Sequence, residues 1–258
     1  MRAEHPCQRV TPDLQITLVY IVGHTPPGVD DRESGAPVLS ERHNLRYLHV
    51  IRQSSDIIRG QFFGHWHSDT FRVIYSDTDS PVSWIMMAPS ISPSTLGGPN
   101  NPGLRLYKFE TNTGQVLDYT QYYLNLPDAN SIGTPNWLVE YNLLEYYDLQ
   151  EITAISTDKF FHLIPEFDRL YSHRYYAANT VSLPREVEQI WGCGGPLNGA
   201  CALHHFCTVT RLDPESYKKC YTSYAYALAS DGRPSTPRLY FSLHLLVLLV
   251  CAELLRNR

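Results

Sequence analysis

No run of lysines and arginines occurs anywhere in this chain: 21 basic residues face 26 acidic ones, for a net charge of −5. A surface of clustered positive charge for nucleic acid is therefore excluded, and no nucleic-acid partner is expected. The first fifteen residues, MRAEHPCQRVTPDLQ, hold charges and prolines but lack the apolar core of a secretory leader. The longest apolar run, LYFSLHLLVLLVCA from Leu239 to Ala252, is interrupted by His244 and falls short of the roughly 20 residues that span a bilayer. No Asn-x-Ser/Thr acceptor for an N-linked glycan is present, and no internal repeat is visible.

What remains is a globular composition, 43% hydrophobic and 18% charged, at a length that buries a core as one large domain or two small ones. Eighteen tyrosines and eighteen prolines imply aromatic-rich strands and many rigid loops. Of six cysteines, Cys7 and Cys251 stand apart while Cys193, Cys201, Cys207 and Cys220 fall within one short stretch. Their gaps are wider than the close C-x2-C pairs typical of zinc, which favours disulfides and hence an oxidising compartment. A zinc module built from this stretch with His204 and His205 is the alternative, although adjacent histidines in ALHHFC read as solvated helix positions. Disulfides without an export leader conflict, unless upstream sequence carries the leader or the cysteines stay reduced. The apolar tail resembles a GPI-anchor signal with Ser230, Asp231 and Gly232 as the attachment site. The other reading of the tail is an amphipathic terminal helix docked on the protein.

The pattern predicts strands over 15–22, 56–63, 70–76 and 81–89, and a helix over 40–52 capped by Ser40 with Leu45, Leu48 and Ile51 on one face. Residues 104–110 and 115–125 alternate as a hairpin turned by Asn112 and Gly114. The loop 89–103, rich in proline, glycine and asparagine, is long enough to shape a site. Beyond Ala129 helices are predicted: one capped by Thr134 with Trp137, Tyr141 and Leu144 on one face, two separated at Pro165, and a last one capped by Asp213. The expected organisation is an N-terminal segment 1–14, an α/β part 15–130, a helical cysteine-stapled part 131–228, and a hydrophobic tail 229–258.

Two strands end alike. VYIVGHTPPG closes in Gly23-His24 before a rigid turn, and GQFFGHWH closes in Gly64-His65-Trp66-His67. In open α/β sheets ligands collect beyond the carboxyl ends of the strands. Imidazole is the commonest protein metal ligand, and a neighbouring glycine lets backbone approach an ion. Parallel strands ending side by side would bring His24 and His65 to one cation, with His67 directed to a second.

The ordered series VGHTPPG, GQFFGHWHSDTFRV, APSISP, NNPGLRLY, YYLNLPDAN and W-x2-EY resembles the acid sphingomyelinase family, in particular its acid sphingomyelinase-like phosphodiesterases, over residues 15–225. The resemblance implies the C-terminal part of a calcineurin-like metallophosphoesterase: an α/β fold, a β-sandwich flanked by helices, then a small helical disulfide-stapled domain. It implies a hydrolase using two zinc ions against a phosphodiester or pyrophosphate, with sphingomyelin- or nucleotide-type small-molecule or lipid substrates. By the same resemblance His24 and His65 bind one zinc and His67 the other, Cys193 pairs with Cys201, and Cys207 pairs with Cys220. Loop 89–103 would border the cleft and Trp66 would shape its wall. An extracellular, lysosomal or cell-surface location follows, with a membrane surface as a further partner. The family's Asp-x-His, Gly-Asp and Gly-Asn-His-Asp/Glu motifs do not appear, so no residue here is assigned as catalytic. The chain is expected to hold zinc weakly and hydrolyse nothing detectable on its own. The competing expectation is a non-catalytic binding or regulatory module.

Overall fold

The computed structural model describes residues 18–31, 35–92, 100–163, 169–182 and 199–231. Contacts divide the chain into two units, through Tyr221 and from Thr222 onward. The second is described only in the closing turns of its helix. The apolar tail, Cys7, Cys193 and Cys251 lie outside the described residues.

The first layer is a four-stranded sheet. β1 (Val19–Val22) runs parallel to β2 (Ile58–Phe63), which runs parallel to β4 (Pro81–Met87), and β3 (Thr70–Tyr75) closes the order β1-β2-β4-β3 antiparallel to β4. Every residue of β3 is buried, as expected for a strand covered on both faces. Among the described residues β1 is a rim strand of this sheet, and Val22 on it is 79% exposed. Between β1 and β2 the chain forms α1 (Glu41–Gln53). Leu48 and Ile51 of α1 join Phe63, Trp66, Ile74, Ile85, Met87 and Leu212 in one core, each aliphatic side chain contributing about 1.5–3 kcal/mol by burial.

The face of α1 differs from expectation. Asn44, not Leu45, is buried with Leu48 and Ile51, and Leu45 is exposed. Asn44 is tolerated inside because Gly28 N–H donates to its Oδ1 at 2.8 Å and its Nδ2 donates to the Leu212 carbonyl at 2.9 Å. Ser40 supplies the carbonyl that starts the helix, whereas its hydroxyl bonds the His43 ring instead of a backbone N–H.

The second layer is an antiparallel sheet, β5 (Gly103–Phe109), β6 (Val116–Leu124) and β7 (Trp137–Asn142). The β5–β6 hairpin turns where expected, with Gly114 at φ 64° and its N–H on the Glu110 carbonyl. An aromatic seam joins the layers: Phe62 of β2 meets Tyr107 at 4.8 Å and Phe109 at 6.4 Å between ring centres. The predicted helix capped by Thr134, with Trp137, Tyr141 and Leu144 on one face, is corrected. Residues 137–142 extend the sheet as β7, because the open edge of the long β6 offers a ladder that outweighs helical spacing of Trp137 and Tyr141. Helix α3 begins only at Leu143 and ends at Tyr147. A short helix α2 (Leu126–Ile132) precedes β7, its first turn capped by the Asn125 side chain.

Helices α4 (Ala154–Leu163), α5 (Arg169–Asn179), α6 (Gly199–Thr210) and α7 (Pro214–Asp231) follow. Asp213 caps α7 by accepting from Ser216 N–H. The Cys207–Cys220 disulfide joins α6 to α7. Cys201 is also disulfide-bonded. The expectation of solvated histidines on α6 is overturned: His204 and His205 are buried, their Nδ1 atoms on the hydroxyls of Tyr217 and Tyr176. With Cys201, Cys207 and Cys220 committed to disulfides, the thiolates of a zinc module here are not available.

Burial pushes the His205 imidazole down to about 4, with the nearby Asp31 opposing and His204 and Arg72 assisting. An unfolded histidine binds its proton near pH 6.5, so between pH 6.5 and 4 the unfolded chain holds more protons than the folded one. Stability is full above that window and falls as the pH drops through it, by on the order of 3 kcal/mol at the bottom. We expect His205→Phe to flatten this slope in urea melts taken from pH 7 to 4. An unchanged slope in the variant would show that another group sets it.

Candidate metal centre

The β1–β2 ladder continues past the strands. Gly23 N–H donates to the Phe62 carbonyl at 3.0 Å, and Gly64 N–H donates to the His24 carbonyl at 3.0 Å. That register sets His24 and His65 side by side at the carboxyl ends of parallel strands. His65 Nδ1 lies 3.4 Å from His24 Nε2, with the rings nearly perpendicular at 86°. Behind His24, the Pro26-Pro27-Gly28 turn is buried. Gly28 adopts φ 109°, and its N–H is held by Asn44, so α1 anchors this turn.

His65 has φ 74°, and Trp66 N–H donates back to the Gly64 carbonyl at 2.9 Å. Together these describe a γ-turn in the rare, strained hand. His67 follows at φ 59°. Two non-glycine residues at positive φ within three positions cost on the order of 1–3 kcal/mol each, and such strain persists only where surroundings over-determine it. Trp66 between them is 3% exposed and belongs to the core. It therefore backs His65 from the interior, 4.9 Å between ring centres, and does not form a cleft wall. His67 has a buried Nδ1 with no hydrogen-bond partner.

A buried charged cluster follows directly. Ser68, Asp69 and Thr70 are buried. Asp69 Oδ1 meets Arg105 Nη2 of β5 at 2.6 Å, with both side chains sealed from solvent. The other oxygen of Asp69 accepts from the Tyr141 hydroxyl of β7. Tyr141 and Tyr119 share a 2.9 Å hydroxyl bond, and the Arg105 guanidinium lies 3.9 Å from the Tyr119 ring centre. Burial works against the charge on Arg105, and the Asp69 carboxylate together with Tyr119, Tyr107 and Tyr141 outweighs it, holding the guanidinium charged. Glu140 nearby is different: burial pushes its carboxyl up to about 8 despite a hydrogen bond from Ser182, so it is a neutral acid at pH 7. Nothing in its local sequence signals that state, and Asp69, Arg105 and Glu140 were not legible as a cluster.

The donor chemistry can be weighed against zinc. A tetrahedral zinc with bonds of roughly 2.0–2.1 Å holds two ligand nitrogens about 3.4 Å apart, the separation of the His24–His65 pair. His67 offers an orphaned nitrogen, which buried structure normally avoids. Among the described residues no group of three or more His, Cys, Asp or Glu side chains is arranged to hold a metal ion. The nearest carboxylate along the chain, Asp69, is occupied by Arg105 and Tyr141. His24 and His65 thus fit as a ligand pair, and among the described residues no anionic ligand completes a site around them. Of loop 89–103, residues 93–99 lie outside the described residues. Its far end is tied down by Asn101, whose Nδ2 donates to the Val181 carbonyl and whose Oδ1 accepts from Leu126 N–H.

The comparisons define the class: the chain belongs to the family described as the acid sphingomyelin phosphodiesterase C-terminal region, whose model matches residues 80–227. More particularly, it is 34% identical over 232 residues to acid sphingomyelinase-like phosphodiesterase 3b of Homo sapiens, covering 88% of this chain and 48% of that protein. It is 34% identical to a cyclic GMP-AMP phosphodiesterase of Bos taurus, over 80% of this chain and 45% of that one. A sphingomyelinase phosphodiesterase C of Dictyostelium discoideum is 30% identical over 78% of this chain and 45% of its own length. The chain spans about half the length of the curated relatives it matches.

Replacing Arg105 by Met leaves the Asp69 charge buried without its partner, and we expect the unfolding free energy to fall by about 3–5 kcal/mol. Tyr119→Phe removes one hydroxyl link and is expected to lower it by about 1 kcal/mol. Urea midpoints of the two variants check the ranking, and equal midpoints would contradict it.

Proposed function

We propose that this chain contributes the histidine side of a zinc-dependent phosphodiesterase centre acting on phosphodiester or pyrophosphate bonds of sphingomyelin- or nucleotide-type substrates. The observation that carries this reading is the His24–His65 pair, two ring nitrogens 3.4 Å apart at adjacent parallel strand ends. Zinc bound there supplies a Lewis acid that acidifies water and draws charge from a phosphoryl group. His24 and His65 donate lone pairs as neutral imidazoles, and the γ-turn at His65 sets its backbone while Trp66 packs against its ring, which lowers the ordering cost of binding. His67 offers its unpartnered Nδ1 as a donor to a second ion. The relatives' names, a sphingomyelinase-like and a cyclic GMP-AMP phosphodiesterase, support the phosphodiester substrate class.

Neutral imidazoles alone do not offset a dication, and the described residues add no free carboxylate to the pair. The 258-residue chain by itself therefore binds zinc weakly and is inactive. The disulfides support an oxidising location, at the cell surface, outside the cell or in the lysosome. The test is a calorimetric zinc titration of the full chain and of the double variant His24→Ala/His65→Ala, run beside bis-p-nitrophenyl phosphate hydrolysis with added zinc. We expect weak binding that the double variant abolishes, and no turnover. Binding unaffected by the double substitution would sink the site, and turnover by the chain alone would sink its inactivity.

A further inference from the structure

We infer that Asn179, the last residue of α5, is a positioning residue for the histidine loop 64–69. The inference rests on the metal-centre reading above. The loop leaves β2 through His65 and His67, both in the left-handed region, and its backbone does not hold that shape by local bonds alone. Asn179 reaches it from two directions. Its carbonyl, one of the helix-end carbonyls left without an intrahelical partner, accepts from Asp69 N–H at 3.3 Å. Its Nδ2 donates to the Asp69 carbonyl at 3.0 Å. Donor and acceptor of one loop residue, two positions beyond His67, are thus paired to one helix residue. One turn earlier on the same face of α5, the Tyr175 hydroxyl bonds Thr70 Oγ1 at 2.8 Å. The ion pair to Arg105 and the bond from Tyr141 hold the Asp69 side chain, so its backbone and carboxylate are clamped independently.

The end of α5 is itself strained to make this contact. Val181 and Ser182 follow at φ 56° and 51°, and a β-branched residue there is an outlier. Three bonds over-determine it: Val181 N–H to the Ala178 carbonyl, Asn101 Nδ2 to the Val181 carbonyl, and Ser182 Oγ to Glu140. Asn179 Oδ1 is buried without a partner, so the amide's contribution lies in its donor. A residue kept for packing alone would be better served by an apolar side chain, which carries no unpaired oxygen.

The experiment compares Asn179→Leu with Thr180→Ala in the full chain. Thr180 bonds only to carbonyls of α5 itself, so its variant reports on the helix end without touching the loop. Two readouts are taken: the ring-proton resonances of His65 and His67 in the metal-free chain, and zinc affinity by calorimetry. Asn179→Leu is expected to broaden or split the His65 and His67 resonances and to weaken zinc binding roughly tenfold or more, while Thr180→Ala leaves both unchanged. Sharp, unshifted histidine resonances and undiminished affinity in Asn179→Leu would overturn the inference. If the wild-type chain binds no zinc at all, the metal-centre reading fails, and the resonances by themselves decide whether Asn179 positions the loop. Should Asn179→Leu fail to fold, Asn179→Asp, which keeps the shape and loses the donor, takes its place with the same two outcomes.

Discussion

The Asp69–Arg105 ion pair is the constraint on which the rest leans. It joins the loop that follows β2 in one sheet to β5 in the other, through a carboxylate and a guanidinium that both lie out of solvent. Taking two charges from water is costly, and the structure offsets that cost by filling the remaining valences: Tyr141 on Asp69, and Gln121 with the Tyr119 ring on Arg105. Such a pair adds little net stability compared with apolar packing. What it adds is placement, because only one register of the two layers satisfies both charges. The two imidazoles stand a few residues upstream of that fixed point.

Strain in this fold is not scattered. His65 and His67 on one side, and Val181 and Ser182 on the other, account for four of the six non-glycine residues at positive φ among the described residues. The two strained segments meet through Asn179 and Asp69. A loop and a helix end, separated by more than a hundred residues of chain, hold each other in conformations neither would keep alone. This makes the helical C-terminal part of unit one a structural condition of the histidine loop, not an appendage to it.

Much of the architecture was legible. Six of the seven described strands announce themselves because Val, Ile and aromatic residues bounded by glycine and proline have few other solutions. Asp213 and Pro214 mark a helix start by capping chemistry alone. The strand-end histidines were legible from Gly-His following apolar runs, and the Cys207–Cys220 pairing came through family resemblance. The failures share a cause. Trp137–Asn142 has helical spacing, and only the waiting edge of β6, distant in no single window, makes it a strand. Leu45 lost its place inside to Asn44 because the partners of Asn44, Gly28 and Leu212, are invisible to periodicity. Asp69, Arg105 and Glu140 look like ordinary surface charges along the chain, and burial by two sheets is what sets their chemistry.

The rim position of β1 carries a consequence for handling the molecule. Val22 projects into water from a strand whose outer edge meets no other strand among the described residues. Such a border is a template for any extended segment with matching amides, including that of a second molecule. An exposed apolar border of this kind is where lateral association of concentrated chains would begin.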